Sequence, residues 1–228
     1  MPLSVIAVIP AHNEADRIAE TLDALQKVEG LGRLIVVNDG SRDPTAEISR
    51  SVGAEVLECA VPGKPCGKGQ ALVAGISHAR RYGPDVVLFL DADLGSSAGR
   101  LARLTEALSN DHPVSIAAFP PSTGGGFGLV KRYARWEILR RAGYSPEEPL
   151  SGQRALRSGA IDALPGIAPG FGAEVGMTLD LLAVEITPLE VPLSLEHRPT
   201  GRNLAGFSHR ARQGFDILRA LQGARIPW

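Results

Sequence analysis

The sequence is poor in cysteine, tryptophan and methionine, with two of each among its 228 residues. The two cysteines, Cys59 and Cys66, make no disulfide framework of the kind that stabilises small secreted domains. No apolar run is long enough to cross a bilayer, and we expect no cleavable signal segment. These features favour a protein of the cytoplasm, a reducing environment, over a disulfide-rich, secreted or membrane-spanning one.

Neither sign of charge is in excess, because 24 lysines and arginines face 25 acidic residues. Such a balance gives no global field that would attract nucleic acid, so we expect no nucleic-acid partner. The basic residues are nevertheless concentrated between Lys131 and Arg157 and between Arg198 and Arg225. The second half therefore suits an anionic partner. Residues 203–222 fit either a core-packed helix or an interfacial helix in peripheral contact with the inner face of a membrane.

Apolar runs and helical periodicities alternate along the chain. We predict strands at residues 4–9, 34–37, 55–58, 86–90, 114–119 and 184–191, with an extended segment at 149–156. We predict helices at residues 14–28, 68–81, 97–109, 129–142, 172–182 and 203–222, and another after Asp43 and Pro44. This alternation predicts an α/β fold in a single domain, with a Rossmann-like, mostly parallel sheet flanked by helices.

The strand at 86–90 ends abruptly in two acids, Asp91 and Asp93. In open α/β sheets the carboxyl ends of the strands form the edge where ligands bind. Two carboxylates about 6 to 7 Å apart on an extended segment repel each other unless a cation lies between them. Mg²⁺ or Mn²⁺ carrying phosphate suits such hard oxygen ligands. A polar loop that caps the next helix is the alternative explanation.

Two other predicted strands also end in polar loops. Asn13 and Glu14 follow the first strand, and Asp39 follows the second. Each loop alone is typical of a helix cap or a turn. Because parallel strands place these loops at the same edge, we predict that they form one ligand-binding site with the two acids.

Four segments carry a resemblance to a known family. They are Val8-Ile9-Pro10-Ala11-His12-Asn13-Glu14, Val36-Val37-Asn38-Asp39-Gly40-Ser41-Arg42-Asp43-Pro44-Thr45, Gly67-Lys68-Gly69-Gln70-Ala71-Leu72 and Asp91-Ala92-Asp93. In order and spacing they resemble the motifs of glycosyltransferases that use nucleotide sugars and have the GT-A fold. The resemblance implies that this chain transfers a hexose from a nucleoside-diphosphate sugar, UDP- or GDP-linked.

The resemblance also implies roles in nucleotide binding. Residues 1–95 would bind the nucleotide sugar and residues 96–228 the acceptor. Asp39 would bind the base or ribose, and Lys68 would reach the nucleotide. The remaining implied nucleotide contacts are Pro10, Ala11, Asn13, Glu14, Asp91 and Ala92.

The metal site implied by the resemblance includes a residue of the second half. Asp93 would be a ligand of Mg²⁺ or Mn²⁺, with Asp91 directed towards the ribose or the metal. Glu196-His197-Arg198 resembles the motif whose histidine completes the metal site in glucosyl-3-phosphoglycerate synthases and their relatives. His197 is therefore the expected third ligand.

The acceptor site implied by the resemblance lies in the second half of the chain. The glycines Gly124 to Gly126, the segment Pro149-Leu150-Ser151-Gly152 and the segment around Glu174 resemble acceptor-binding segments of those synthases. Glu174 would orient an acceptor hydroxyl or act as a base, or it is only a helix-starting acid. The expected acceptor contacts are Gly125, Gly126, Ser151, Gly152 and Arg154, and Arg202 joins Asp93 and Glu174 as a candidate catalytic residue.

The chain departs from the synthase pattern after its glycine run. Phe127 and Gly128 follow, where those synthases have an arginine and a threonine that hold the acceptor's phosphate. Ser151-Gly152-Gln153-Arg154 equally resembles polyprenyl-phosphate sugar transferases of the dolichyl-phosphate mannose synthase type. Arginine binds phosphate oxygens in pairs, so we expect a phosphorylated acceptor, either a small metabolite or a polyprenyl phosphate.

Two other functions and one assembly question remain open. A sugar-phosphate nucleotidyltransferase shares the α/β layout but requires a glycine-rich loop after the first strand, which residues 10–14 do not supply. A non-catalytic nucleotide-binding module is the second alternative. A homodimer is compatible with the sequence.

Overall fold

The computed structural model describes residues 3–28, 30–119, 128–196 and 216–228. Its seven strands form one sheet: β1 (Val5–Ala11), β2 (Leu31–Asp39), β3 (Glu55–Ala60), β4 (Val86–Phe89), β5 (Val114–Ala118), β6 (Arg154–Arg157) and β7 (Leu189–Pro192). Its helices are α1 (Ile18–Leu25), α2 (Thr45–Ser51), α3 (Lys68–Ala79), α4 (Ala102–Glu106), α5 (Gly128–Ala142), α6 (Ser158–Asp162) and α7 (Ala173–Ala183). Residues 216–221 are also helical.

The strands lie in the order β3-β2-β1-β4-β6-β5-β7. Neighbouring strands are parallel except around β6, which runs antiparallel to both β4 and β5. The predicted α/β fold with a mostly parallel sheet is confirmed. Because β6 is reversed, the residues just before it lie at the same edge as the residues that follow β1, β2 and β4.

Both faces of the sheet are covered at its centre, which explains why β1 and β4 are apolar without alternation. On one face Ile9 of β1 and Leu22 of α1 belong to the same buried cluster. On the other face Val8 of β1 packs in a second cluster with Ile76 of α3. Successive residues of β1 therefore stabilise opposite layers, as the pleat of a strand requires.

A third cluster holds the second half together. Ala134 and Ile138 of α5 pack with Val175 of α7 and with Ile217 and Leu221 of the last helical segment. This cluster packs α7 against α5 and against the helical segment at residues 216–221.

The boundaries of several predicted elements differ from the observed ones; α1, for example, begins at Ile18 and not at residue 14. The helix predicted at 97–109 is a 3-10 helix at Gly95–Leu101 followed by α4. The strand predicted at 184–191 begins only at Leu189, because the chain leaves α7 through Glu185 with a φ of 63°, a left-handed conformation incompatible with a strand. Most of the closing helix predicted at 203–222 lies outside the described residues.

The two cysteines, from which the sequence predicted no disulfide framework, are joined by a disulfide bond. Cys59 lies in β3 and Cys66 lies two residues before α3, so the bridge closes the loop between these elements. Within the described part of the chain, no helix has the length and apolarity needed to span a bilayer.

The close packing of α3 on the sheet gives a stability prediction. A Cβ atom at Gly75 would lie 2.3 Å from Val8 Cγ1, whereas a Cβ at Gly159 of α6 would meet nothing within 4 Å. Gly75→Ala should lower the free energy of unfolding by about 1–3 kcal/mol through overpacking. Gly159→Ala should leave it unchanged or raise it by up to about 1 kcal/mol. Urea unfolding measures the free energy of unfolding of both variants. Equal values would contradict the close contact between Gly75 of α3 and Val8 of β1.

Candidate active site

The candidate site lies where β1, β2 and β4 end. These strands are parallel neighbours, so Ala11, Asp39 and Phe89 bring the segments that follow them to one edge of the sheet. Pro10 and Ala11 are the last residues of β1, and Ala92, between the two acids, is buried. The structure thus brings the nucleotide-binding candidates of the first half together.

The loop after β1 is bonded to the loop after β2. Asn13, with a φ of 56°, accepts a hydrogen bond from the Arg42 N–H at its Oδ1 over 2.8 Å and donates its own N–H to Ser41 Oγ over 3.0 Å. The Glu14 N–H donates to Thr45 Oγ1 over 2.9 Å. Asn13 therefore joins two loops rather than capping α1, and the mutual bonds give both loops a fixed shape.

Asp43 adds a charged contact between these loops. Its carboxylate accepts hydrogen bonds from the Ala15 N–H and from Thr45. Burial raises the pKa of the Asp43 carboxyl, but these hydrogen bonds outweigh burial and hold it below its usual value. The Asp43 carboxylate therefore stays ionised and bonded at neutral pH.

The Asp39 side chain is held by the loop that precedes α3. Its Oδ1 accepts from the Cys66 N–H over 2.6 Å, and its Oδ2 accepts from the Gly67 N–H over 3.0 Å. Asp39 is only 7% exposed. A carboxylate with both oxygens bonded to backbone donors keeps one orientation, as recognition of a base or ribose requires.

Lys68 is the cation of the site and lies between two carboxylates. Its Nζ is 2.7 Å from Asp91 Oδ1 and 2.7 Å from Glu174 Oε1. Burial lowers the pKa of the Lys68 ammonium, but Asp91 and Glu174 outweigh burial and raise it above its ordinary value. Lys68 is therefore charged, and it connects α3, the end of β4 and the start of α7.

Gln153 completes the surroundings of Asp91 and was not among the sequence-predicted residues. Its Nε2 donates to Asp91 Oδ2 over 2.6 Å, and its Oε1 accepts from Ser151 Oγ over 3.2 Å. Gly152 passes so close that a Cβ there would lie 2.6 Å from Lys68 Nζ. One sequence signal pointed to this contact, because a polar run precedes the strand. The antiparallel direction of β6, which places Gln153 beside Asp91, could not be read from the sequence.

Arg154, an expected acceptor contact, lies in the interior and is only 1% exposed. Its Nε donates to the Ser151 carbonyl and its Nη1 to Thr178 Oγ1, and Nη2 has no partner among the described residues. Burial lowers the pKa of the guanidinium to about 10, although Glu174 acts in the opposite direction. A role for Arg154 in acceptor binding stays a prediction, with Nη2 as its one unpartnered nitrogen.

Several predicted residues are not placed. His197, Arg202, Gly125 and Gly126 lie outside the described residues. Asp93 is described: it follows Asp91 by two residues, and its backbone carbonyl accepts from the Arg17 guanidinium over 3.2 Å. The described part of the site therefore contains the predicted nucleotide contacts together with Ser151, Gly152, Arg154 and Glu174 of the predicted acceptor side.

A comparison with known families matches residues 6–161 to the model of glycosyl transferase family 2. The chain belongs to this family. The matched range contains every described site residue named above except Glu174 and Thr178. The predicted glycosyltransferase class, with its GT-A type of fold, is thereby confirmed.

Two curated relatives of this glycosyltransferase are glucosyl-3-phosphoglycerate synthases. The one from Mycolicibacterium paratuberculosis is 30% identical over 92% of this chain and 70% of its own length. The one from Mycobacterium tuberculosis is 30% identical over 78% of this chain and 60% of its own length. The chain thus spans 60 to 70% of the length of these relatives.

A solved structure gives the same picture of the fold. The M. tuberculosis synthase in complex with Mn²⁺, uridine diphosphate and phosphoglyceric acid matches with a TM-score of 0.78 at 25% identity. The match covers 98% of this chain and 80% of that chain. The likeness in fold therefore extends over both halves of the glycosyltransferase.

The position of Gln153 gives a second prediction. Gln153→Met removes the amide that donates to Asp91 while keeping the length of the side chain. The free energy of unfolding should fall by about 1–3 kcal/mol, since a partner of a charged group is lost in a buried position. The matched control is Gln70→Met on the exposed surface of α3, which should change it by less than about 0.5 kcal/mol. Equal values for the two variants in urea unfolding would show that Gln153 does not stabilise the site.

Proposed function

We propose that this chain transfers a hexosyl group from a nucleoside-diphosphate sugar to a phosphorylated acceptor, with Mg²⁺ or Mn²⁺ as cofactor. The observation that carries the proposal is the convergence of Asp39, Lys68, Asp91 and Asp93 at the carboxyl edge of the sheet. The structural neighbour bound to uridine diphosphate favours UDP over GDP as the nucleotide.

The nucleoside would bind over the ends of β1 and β2. The Asp39 carboxylate is held there by two backbone N–H groups and presents its remaining lone pairs to a base or ribose. Asn13 and Glu14 lie in the adjoining loop, whose shape is set by its bonds to Ser41 and Thr45. A planar base needs hydrogen-bonding groups in fixed directions. A loop already held by hydrogen bonds to its neighbour supplies such groups with little reorganisation on binding.

The divalent cation would bind at Asp93, with His197 as a further ligand. The residues present fit such an ion, because carboxylates suit hard cations and Asp93 follows the end of β4. Asp91 is less suited to direct ligation, since Lys68 neutralises its charge and Gln153 occupies its second oxygen. When bound, the cation would supply charge stabilisation for the departing diphosphate.

Lys68 would contribute the second positive charge on the leaving group. Its ammonium lies between Asp91 and Glu174 and can exchange part of either contact for a phosphate oxygen. A cation already fixed in place stabilises developing negative charge without reorganising during the reaction.

The acceptor would approach from the side of Ser151, Gly152 and Glu174. Gly152 leaves room because it has no side chain, and Glu174 is the buried carboxylate at the start of α7. An acceptor phosphate is already ionised near neutral pH and needs no base, whereas an acceptor hydroxyl would need one. Glu174 is the described carboxylate that could hold that hydroxyl.

A small phosphorylated acid is the acceptor class that we favour, because the curated relatives are glucosyl-3-phosphoglycerate synthases. Gly125, Gly126 and Arg202 would complete its binding site. A polyprenyl phosphate is the alternative, and with it would come peripheral membrane contact. A location in the cytoplasm and a homodimer are further parts of the proposal.

A test of the proposal is the release of UDP from UDP-glucose with Mn²⁺ and either 3-phosphoglycerate or a polyprenyl phosphate. Asp93→Ala should lower the rate by at least about 100-fold, since charge stabilisation of the leaving group is lost. The matched control, Asp111→Ala, removes an exposed carboxylate before β5 at the opposite edge and should keep the rate. If Asp93→Ala and the parent protein release UDP equally fast, the assigned metal site is wrong.

A further inference from the structure

The loop of residues 61–67, here called the strap, connects β3 to α3 and is closed by the disulfide between Cys59 and Cys66. It lies against the turn that follows β2, because the Gly63 N–H donates to the Gly40 carbonyl over 2.8 Å. Both cysteines are partly exposed, so a small thiol reagent can reach them. The strap is thus a covalently closed loop beside the nucleotide edge.

The end of the strap holds the Asp39 carboxylate. One of its two backbone donors belongs to Cys66 itself and the other to Gly67. An Asp39 oxygen and the two sulfurs all lie within 4.8 Å of one another. Cys66 therefore links the disulfide directly to Asp39, because its sulfur is in the bridge and its N–H donates to the Asp39 carboxylate.

The strap also leads directly into Lys68, the first residue of α3. Gly67 has a φ of 97°, and Lys68 follows it as the first residue of the helix. Without the bridge, Cys66 loses its covalent link to β3, and ordering the strap around a ligand costs conformational entropy. With the bridge, part of that ordering is already in place before the ligand binds.

We propose that Cys59 and Cys66 are a thiol modification site whose closure to a disulfide tightens nucleotide binding by fixing Asp39 and Lys68. The effect on nucleotide binding rests on the proposed function of the site. The oxidant is a small-molecule disulfide of the glutathione type, and the ligand affected is a nucleoside diphosphate.

The closure is a pair of thiol–disulfide exchanges. One protein thiolate attacks a sulfur of the small disulfide, forming a mixed disulfide and releasing one small thiolate. The second protein thiolate attacks the protein sulfur of that mixed disulfide, forming the Cys59–Cys66 bond and releasing the second small thiolate. The two protein thiols are oxidised by two electrons, the small disulfide is reduced, and both protons end on the released thiols.

The test compares the full chain after reduction with a phosphine and after incubation with glutathione disulfide. Alkylation and mass spectrometry count the free thiols in each sample, and calorimetry measures UDP binding with Mg²⁺. We expect the bridged protein to bind UDP about fivefold or more tightly than the reduced protein, the lower range of coupling between linked sites. Cys59→Ser/Cys66→Ser should bind like the reduced protein under both conditions.

The outcomes separate the two proposals. Equal UDP affinity of the bridged and reduced wild-type proteins would overturn the coupling while leaving the proposed function intact. Two alkylatable thiols after incubation with glutathione disulfide would overturn the modification site. No UDP binding in either state would overturn the proposed nucleotide function together with the coupling. If the double variant does not fold by circular dichroism, the comparison of the two wild-type states decides alone.

Discussion

The ammonium of Lys68, shared between Asp91 and Glu174, is the contact on which the arrangement of the site depends. Without this cation the two carboxylates would repel each other where α7 approaches the end of β4. An exposed ion pair contributes about 1 kcal/mol or less, and breaking a buried one costs about 3–5 kcal/mol. Lys68 is 22% exposed in its side chain, between these limits. Gly152 has no side chain, and a Cβ there would lie 2.6 Å from Lys68 Nζ and 3.0 Å from Asp91 Oδ1.

The same contact connects the two halves of the chain. Lys68 and Asp91 come from the first half of the sequence, and Glu174 comes from the second half. A nucleotide diphosphate that draws Lys68 towards it would also change the surroundings of Glu174. If the proposed function holds, donor binding and acceptor binding would be coupled through this one side chain. Gln153, which donates to Asp91, would extend this coupling to the segment before β6.

Local pattern was sufficient to predict the sheet, its buried strands and the convergence of Asp39, Asp91 and Asp93. The rule that parallel strands end at one edge places these residues without any knowledge of tertiary contacts. The reversed direction of β6 was not predictable, because the four residues Arg154-Ala155-Leu156-Arg157 carry no sequence signal of the direction in which the strand runs. The role of Gln153 and the burial of Arg154 both follow from that reversal. The bond between Cys59 and Cys66 depends on how the strap folds, which residue spacing alone does not specify.

The most direct measurement of the central claim is the stability of the full chain with UDP or GDP, each with and without Mn²⁺. If the edge formed by Asp39, Lys68 and Asp93 binds a nucleoside diphosphate through a cation, one of the two nucleotides with Mn²⁺ will stabilise the protein. At a hundredfold excess over its dissociation constant the gain in the free energy of unfolding should be about 2.7 kcal/mol, and it should shrink when Mn²⁺ is omitted. If neither nucleotide stabilises the protein in the presence of Mn²⁺, this edge is not a nucleotide-sugar site.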